Sequence, residues 1–137
     1  MEAKLRRLTN DDFASLSELN AAFYSGKHSA FHATSNLIKD IETQHDFKAF
    51  GLFENNILIG FVIGYAIAKK VFYFSGIYVK IRLNRNLKQF IEFCFQEIAK
   101  DGYTSWEVDC TNANITKIML KFGATPIYTR YGKQLEV

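Results

Sequence analysis

The sequence predicts an α/β fold in which helices pack on a mixed β-sheet. The main observation is the stretch of residues 72–124, which contains an apolar strand, a basic turn, an amphipathic helix, a second strand and a short helix. A strand–helix–strand unit of this kind joins two parallel strands. Before it, two runs rich in Phe, Ile and Val flank Glu54-Asn55-Asn56, which is typical of an antiparallel hairpin.

The composition indicates one domain over residues 1–137. The chain is 48% hydrophobic and 15% aromatic, which is enough apolar area for a core and argues against disorder. Its formal net charge of +3 permits a polyanionic ligand without requiring one. We expect no membrane partner, because no apolar run has the length of a membrane span and the N-terminus lacks a signal-peptide pattern. Cys94 and Cys110 lack metal-ligand spacing, so we expect reduced core residues and a cytoplasmic protein.

The first third of the chain predicts one strand and two helices. Residues 3–8 alternate as a strand does, and Thr9 followed by Asp12 is a capping-box variant that opens a helix. The apolar stripe of that helix ends near Gly26. After a polar loop over residues 26–35, Thr34 or Ser35 opens a second, short helix over residues 37–43.

The remainder predicts a sheet with two further helices. Residues 47–53, Ile57–Ala68 and Val71–Val79 form three consecutive antiparallel strands. A helix follows whose stripe begins at Leu87, then a strand over residues 105–110, then a helix opened by Thr111-Asn112 and closed by Gly123. Residues 125–131 and 133–137 finish the chain as a hairpin or bulged strand. The predicted order is therefore β-α-α-β-β-β-α-β-α-β.

This order resembles the acyl-CoA-binding core of the GCN5-related N-acetyltransferases, the GNAT superfamily. In that family the turn after the fourth strand carries Arg or Gln followed by x-x-Gly-x-Gly or Ala, and its amides wrap the pyrophosphate of coenzyme A. Leu87 and Gln89 stand at the glycine positions, so the usual cradle is partly blocked. The resemblance implies that coenzyme A binds at the corresponding segment, Asn84-Arg85-Asn86-Leu87-Lys88-Gln89.

Positive charge is concentrated at the same turn. Its basic residues are Lys80, Arg82, Arg85 and Lys88, which could hold phosphate through their side chains. The alternative is a solvated basic turn, which is common on soluble domains. Nucleic-acid binding is not expected, because no aromatic platform accompanies the charges.

The resemblance also assigns roles around the thioester. It implies that Ile77, Tyr78 and Val79 contact the pantetheine arm and polarise the thioester carbonyl of acetyl-CoA. Asn112 matches a second family pattern, as a pantetheine contact or as a plain helix cap. Met119 replaces the tyrosine that protonates the leaving thiolate, and methionine cannot donate a proton. Its place on an apolar stripe favours a core residue instead.

A base is still needed to deprotonate an amine acceptor, and the candidate catalytic residues are Glu107, Asp109 and Tyr78. Strand alternation puts the two carboxylates on one face. The alternative, which the pattern favours, is a solvent-facing side of the sheet. His28 and His32 are four residues apart but have no evident third ligand, so no metal site is predicted.

The ending GATPIYTRYGKQL resembles short GNAT-like proteins of bacteriophages, including the small internal virion protein of short-tailed phages. That resemblance implies a location in the host cytoplasm or the virion. Two functions remain open. One is an acyl-CoA-dependent N-acyltransferase with an unidentified amine acceptor, and the other is a catalytically inactive GNAT-fold structural or interaction protein, such as an internal component of a phage virion. The last predicted strand is a pairing edge suited to an oligomer.

Overall fold

The computed structural model describes residues 3–24, 30–79, 84–109 and 113–124. In these residues the helices cover both faces of a five-stranded sheet of order β1-β2-β3-β4-β5. The strands are β1 Lys4–Arg7, β2 His45–Glu54, β3 Ile57–Ala68, β4 Val71–Val79 and β5 Ser105–Val108. The helices are α1 Phe13–Tyr24, α2 Ala30–Thr43, α3 Asn84–Lys100 and α4 Ala113–Lys121, and a 3-10 turn at Asn10–Asp12 precedes α1.

The sheet is mixed, as predicted. Neighbouring strands from β1 to β4 are antiparallel, whereas β4 and β5 are parallel and joined through α3. The hairpin between β2 and β3 turns at Asn55 and Asn56, whose φ angles of 54° and 63° suit the left-handed positions of a tight turn. The predicted parallel pair that brackets the basic turn is confirmed.

A capping box connects β1 to the first helical segment. The Thr9 side chain accepts a hydrogen bond from the Asp11 backbone, and the Thr9 N–H donates to the Asp12 carboxylate at 2.8 Å. Arg6 donates to both oxygens of the same carboxylate at 2.9 Å. The predicted cap is confirmed, and because its carboxylate is held by Arg6 it also fixes the direction in which the chain leaves the sheet.

Two apolar clusters lie on opposite faces of the sheet. On one face α3 buries Phe90 and Cys94 against Phe50, Phe72 and Phe74. On the other face, α1 and α2 pack against β2 and β3. The buried residues of this cluster are Leu16 and Leu19 of α1, Leu37 of α2, and Phe53, Leu58, Phe61 and Ile63 of the sheet. Burial raises the pKa of the Cys94 thiol well above its usual range, as suits the core residue that was predicted.

Several predicted boundaries were wrong. The strand β2 runs from His45 to Glu54 instead of from residue 47 to residue 53. The helix α2 begins at Ala30 instead of residue 37, and α3 begins at Asn84 instead of Leu87. In both, helix-tolerant residues precede the apolar stripe, and the stripe marks only the buried part of a helix. The strand β5 ends at Val108, not at residue 110. The predicted strands over residues 125–131 and 133–137 lie outside the described residues, as do Thr111 and Cys110.

No helix of the described residues is long and apolar enough to cross a bilayer.

Candidate active site

The parallel strands β4 and β5 are paired over only part of the length of β4. The register runs from Val71 opposite Ser105 to Phe74 opposite Val108. The last residues of β4, Ser75 to Val79, continue alongside β3 with no strand on their other side in the described part of the chain. This stretch includes the predicted residues Ile77, Tyr78 and Val79. A backbone edge that opens between parallel strands offers amide groups to a ligand at the carboxyl end of the sheet.

A β-bulge at Ser75 sets which side chains of β4 share a face. Gly76 pairs with Ile63 and Phe74 pairs with Gly64, so Ser75 is the extra residue. Because one residue is skipped, Tyr73 and Tyr78 lie on the same face although they are an odd number of positions apart. The Tyr78 ring packs at 5.9 Å from Phe61 on the side of α1 and α2. Strict alternation along β4 would have separated the two tyrosines.

The predicted carboxylates lie beside Tyr73. Glu107 is its register partner on β5, and the Tyr73 hydroxyl donates a hydrogen bond to Asp109 Oδ2 at 2.8 Å. Trp106 and Val108 pack on the opposite face, against the α3 cluster. The prediction that Glu107 and Asp109 share a face is therefore confirmed. Asp109 is exposed and Glu107 half-buried, so this carboxylate pair is accessible from outside.

Tyr65 extends the same surface. Tyr65 is the register partner of Tyr73, and their rings are 5.6 Å apart with an interplanar angle of 60°. Burial raises the pKa of the Tyr65 hydroxyl, and the charges of Asp40 and Asp109 raise it further. Burial also raises the pKa of Asp40, against the opposing effect of Lys39. The carboxylates of two separate elements thus act on one tyrosine.

The N-terminus of α3 supplies the other part of the site. This helix has 17 residues and begins at Asn84, so the last three residues of the predicted turn, Asn84, Arg85 and Asn86, belong to its first turn. Its first amides have no intrahelical acceptor and, with the helix dipole, favour a phosphate group. Leu87 is half-buried, whereas Lys88 and Gln89 are exposed. A diphosphate would therefore meet helix amides and exposed side chains here in place of a glycine loop.

Met119 lies in the core, with 2% of its surface exposed. It is surrounded by apolar side chains of the sheet and α3, namely Val62, Phe74, Ile77, Ile91, Cys94 and Phe95. Its position therefore confirms the core interpretation.

Several predicted residues lie outside the described part of the chain. These are Lys80, Arg82 and Asn112, together with the side chains of Asn84 and Arg85. His28 and the side chain of His32 lie outside it too. Among the residues that the structure describes, no group of three or more His, Cys, Asp or Glu is placed to hold a metal ion.

Sequence reasoning missed Tyr65 and Asp40 as site residues. Tyr65 is a polar interruption in the apolar run Ile57–Ala68, and that interruption is the one signal that marked it. Asp40 carried no signal, because the effect of its charge on Tyr65 depends on the tertiary structure. The Ser75-Gly76 step within an otherwise apolar strand is the local sequence sign of the bulge.

Neither the scan against protein-family models nor the search of curated proteins found a match. Solved structures do match over almost the whole chain. A probable acetyltransferase has a TM-score of 0.77 at 15% identity, covering 98% of this chain and 97% of that one. The ribosomal-protein-alanine N-acetyltransferase from Brucella melitensis biovar Abortus 2308 has a TM-score of 0.72 at 18% identity, covering 98% and 100%.

A third structure contains coenzyme A. It is the PaiA N-acetyltransferase from Thermoplasma acidophilum, with a TM-score of 0.63 at 19% identity, covering 90% of this chain and 88% of that one. The chain has the GNAT acyl-CoA N-acyltransferase fold.

Proposed function

We propose that the protein is an N-acyltransferase that transfers an acetyl group from acetyl-CoA to an amine. The observation that carries the proposal is the opening between β4 and β5, with the Asp109 carboxylate held by Tyr73 beside it. Of the three solved structures named above, one is a probable acetyltransferase and two are N-acetyltransferases, one of them in complex with coenzyme A. Fold alone does not determine activity, so the proposal rests on this arrangement of residues.

The acyl donor would bind along β4 and at the start of α3. The backbone of Ile77, Tyr78 and Val79 would contact the pantetheine arm, with Asn112 as a further contact. The diphosphate would lie at the first amides of α3, near the charges of Arg85 and Lys88, with Asn84, Asn86, Leu87 and Gln89 completing the segment. Leu87 and Gln89 carry side chains, so we expect weaker diphosphate binding than a glycine loop gives.

In the proposed reaction Asp109 accepts a proton from the acceptor amine, directly or through water. The nitrogen attacks the thioester carbonyl carbon, the C–N bond forms, and the C–S bond breaks with its electron pair on sulfur. Water protonates the thiolate, because Met119 cannot. A backbone N–H of β4 aimed at the developing oxyanion would contribute about 2.7 to 4 kcal/mol. Glu107 and Tyr78 are the other candidates for acid–base roles.

The experiment measures binding and turnover separately. Millimolar acetyl-CoA should raise the melting temperature, because the ligand binds only the folded chain. The release of free coenzyme A is then followed with a panel of primary amines. Asp109→Asn should keep the thermal shift and lose turnover by about a hundredfold or more, as expected for loss of a general base. Glu107→Gln tests the other carboxylate, and Glu42→Gln, an exposed residue of α2, is the control.

A non-catalytic module is the second candidate. The observations in its favour are the buried Met119 and the side chains at residues 87 and 89. It predicts no thermal shift with acetyl-CoA and no retention of labelled coenzyme A. A clear shift with turnover that depends on Asp109 would exclude it.

A further inference from the structure

A cleft of about 610 Å³ lies where β4 and β5 begin, at the end of the sheet away from their opening. One wall is the end of β3 and the turn into β4, residues 66–70, and another is residues 101–103, which follow α3. His45, at the start of β2, completes the described lining. Volumes of about 300 to 1,000 Å³ accommodate small organic molecules. The described lining includes none of the residues assigned to acyl transfer, so the cleft is a separate candidate site.

The turn between β3 and β4 consists of Lys69 and Lys70, whose side chains are exposed at the cleft. The φ angle of Lys70 is 67°, in the left-handed region that favours glycine. The Lys70 carbonyl oxygen accepts hydrogen bonds from the N–H groups of Thr104 and Ser105, at 3.0 and 3.3 Å, so the two walls are tied together. A lysine at a position that glycine would occupy with less strain indicates that its side chain has a use.

The carboxylates at this cleft are already paired. Asp101, which lines it, contacts Arg7 at 2.9 Å and Lys48 at 2.7 Å. Nearby, Asp46 contacts Lys48 at 3.2 Å and accepts a hydrogen bond from the Tyr103 hydroxyl. By contrast, the two lysines of the turn make no ion pair within the part of the chain that the structure describes. The cleft therefore has positive charge that is not compensated, which attracts an anionic group.

An apolar surface adjoins these charges. Ile67, the residue two positions before the turn, lines the cleft with 47% of its surface exposed. The Tyr103 ring lines it as well and is held by an edge contact with Phe72, at 5.2 Å between ring centroids. A small-molecule site combines apolar lining of this kind with a few polar groups that fix the orientation of the ligand.

We propose that this cleft binds a small amphipathic anion, namely a carboxylate or phosphate ester with an apolar body. The anionic group contacts the ammonium groups of Lys69 and Lys70, and the apolar body lies on Ile67 and the Tyr103 ring. The site is independent of acyl transfer, because it uses other residues at the other end of β4.

The test titrates the protein with hexanoate and with hexyl phosphate and follows the backbone amide signals in two-dimensional NMR spectra. Hexan-1-ol and 1-aminohexane, which have the same chain with a neutral and a cationic head group, are the controls. At least one anion should shift the amide signals of residues 66–70 and 101–104 at concentrations at which the alcohol and the amine do not. The anion that binds more tightly identifies the head group.

Variants of the turn test the two lysines. Lys69→Gln and Lys70→Gly should each raise the Kd of the tighter anion by about two- to fivefold, the usual effect of removing one partner of a charge pair. Lys70→Gly should also keep or raise the urea midpoint, because glycine relieves the left-handed backbone. Lys121→Gln, at an exposed lysine of α4, removes the same charge outside the cleft and should leave the Kd unchanged.

Three results would each overturn the proposal. They are the absence of shifts at residues 66–70 and 101–104 with either anion, equal shifts with the alcohol or the amine, and an equal loss of affinity in Lys70→Gly and Lys121→Gln. No acetyl-CoA is present in the titrations, so none of these results bears on the proposed acyl transfer.

Discussion

The Tyr73 hydroxyl connects the middle of β4 to the residue that follows β5. Its hydrogen bond to Asp109 is 2.8 Å long and exposed to solvent, so it adds little to the stability of the fold. Its effect is on orientation, because it holds one carboxylate oxygen at the point where the strands part. A base that is held in place loses less freedom when the amine arrives.

We expect Tyr73→Phe to lower kcat for acetyl transfer by about tenfold, a fraction of what general-base catalysis contributes. The KM for acetyl-CoA should not change, because Tyr73 contacts the acid–base side of the site. Steady-state kinetics with the donor and the amine varied in turn would measure both effects. Tyr103→Phe, which removes a hydroxyl from the α3 face of the sheet, is the control and should keep kcat. A change confined to the KM for acetyl-CoA would contradict the assigned role.

Residues far apart in the chain also show what the sequence could not predict. Glu107 and Asp109 were placed on one face by alternation within one strand, and the structure agrees. The Tyr65–Tyr73 contact depends on the register between two strands, and the link to Asp40 depends on helix packing. The local sequence pattern specifies neither the strand register nor the helix packing. This part of the candidate site could therefore be found only from the tertiary structure.

At the scale of elements, the strands were the most predictable part. The bounds of β3 and β4 match the prediction to the residue, because each is an apolar run that ends at turn residues. The bulge at Ser75 was not predicted, because one extra residue in a buried strand leaves its composition unchanged. Its consequence is large, since it puts Tyr78 on the same face as Tyr73.

The packing of β3 on β4 can be tested at two glycines. A Cβ at Gly64 would overlap the backbone carbonyl oxygen of Tyr73, whereas a Cβ at Gly76 would meet the Ile63 side chain at 3.0 Å. Because backbone gives way less readily than a side chain, we expect Gly64→Ala to lower the free energy of unfolding more than Gly76→Ala does. The expected loss for Gly64→Ala is about 1 to 3 kcal/mol. Urea unfolding of the two variants measures the difference. Equal free energies of unfolding would contradict this, because they would show that the sheet relieves the backbone overlap at Gly64 as readily as the side-chain contact at Gly76.

The start of α3 is the element expected to hold the diphosphate. Arg85 lies in its first turn, and Lys4 lies on β1 at the other edge of the sheet. We expect Arg85→Ala to raise the dissociation constant of coenzyme A by about two- to fivefold, the usual effect of removing one partner of a charge pair. Lys4→Ala removes the same charge and should have no effect. Equal effects of the two variants in calorimetry would mean that net charge, and not this helix, attracts the ligand.

At the scale of the molecule, a network of charges ties β1 and β2 to the far end of α3. Arg7 contacts Glu97 at 2.7 Å and Asp101 at 2.9 Å, and Lys48 contacts Asp101 at 2.7 Å. Lys48 also contacts Asp46, which accepts a hydrogen bond from the Tyr103 hydroxyl. This end of the sheet is opposite to the open end of β4. The network therefore holds the layers together without restricting the proposed site.

The protonation of these carboxylates should make the protein less stable at acid pH. Hydrogen bonds from Arg7 and Lys48 lower the pKa of Asp101, those from Lys100 and Arg7 lower that of Glu97, and Arg6 lowers the pKa of Asp12 from 3.8 to about 2. The unfolded chain therefore binds more protons than the folded one in this range, so stability rises with pH. We expect the contribution of these carboxylates to stability to be complete above about pH 5 and to be lost as pH falls toward 2.

The ionisation of Tyr103 should make the protein less stable at alkaline pH. Burial and the hydrogen bond to Asp46 raise its pKa from 10.0 to about 12. Between these two values the unfolded chain has released a proton that the folded chain still holds, so this contribution is lost as pH rises through the folded pKa. Urea midpoints measured from pH 9 to 12 should fall less steeply for Tyr103→Phe than for the wild-type protein, because phenylalanine has no proton to release. Parallel curves would mean that this hydroxyl titrates alike in the folded and unfolded chains, and that its bond to Asp46 contributes nothing to the alkaline limb.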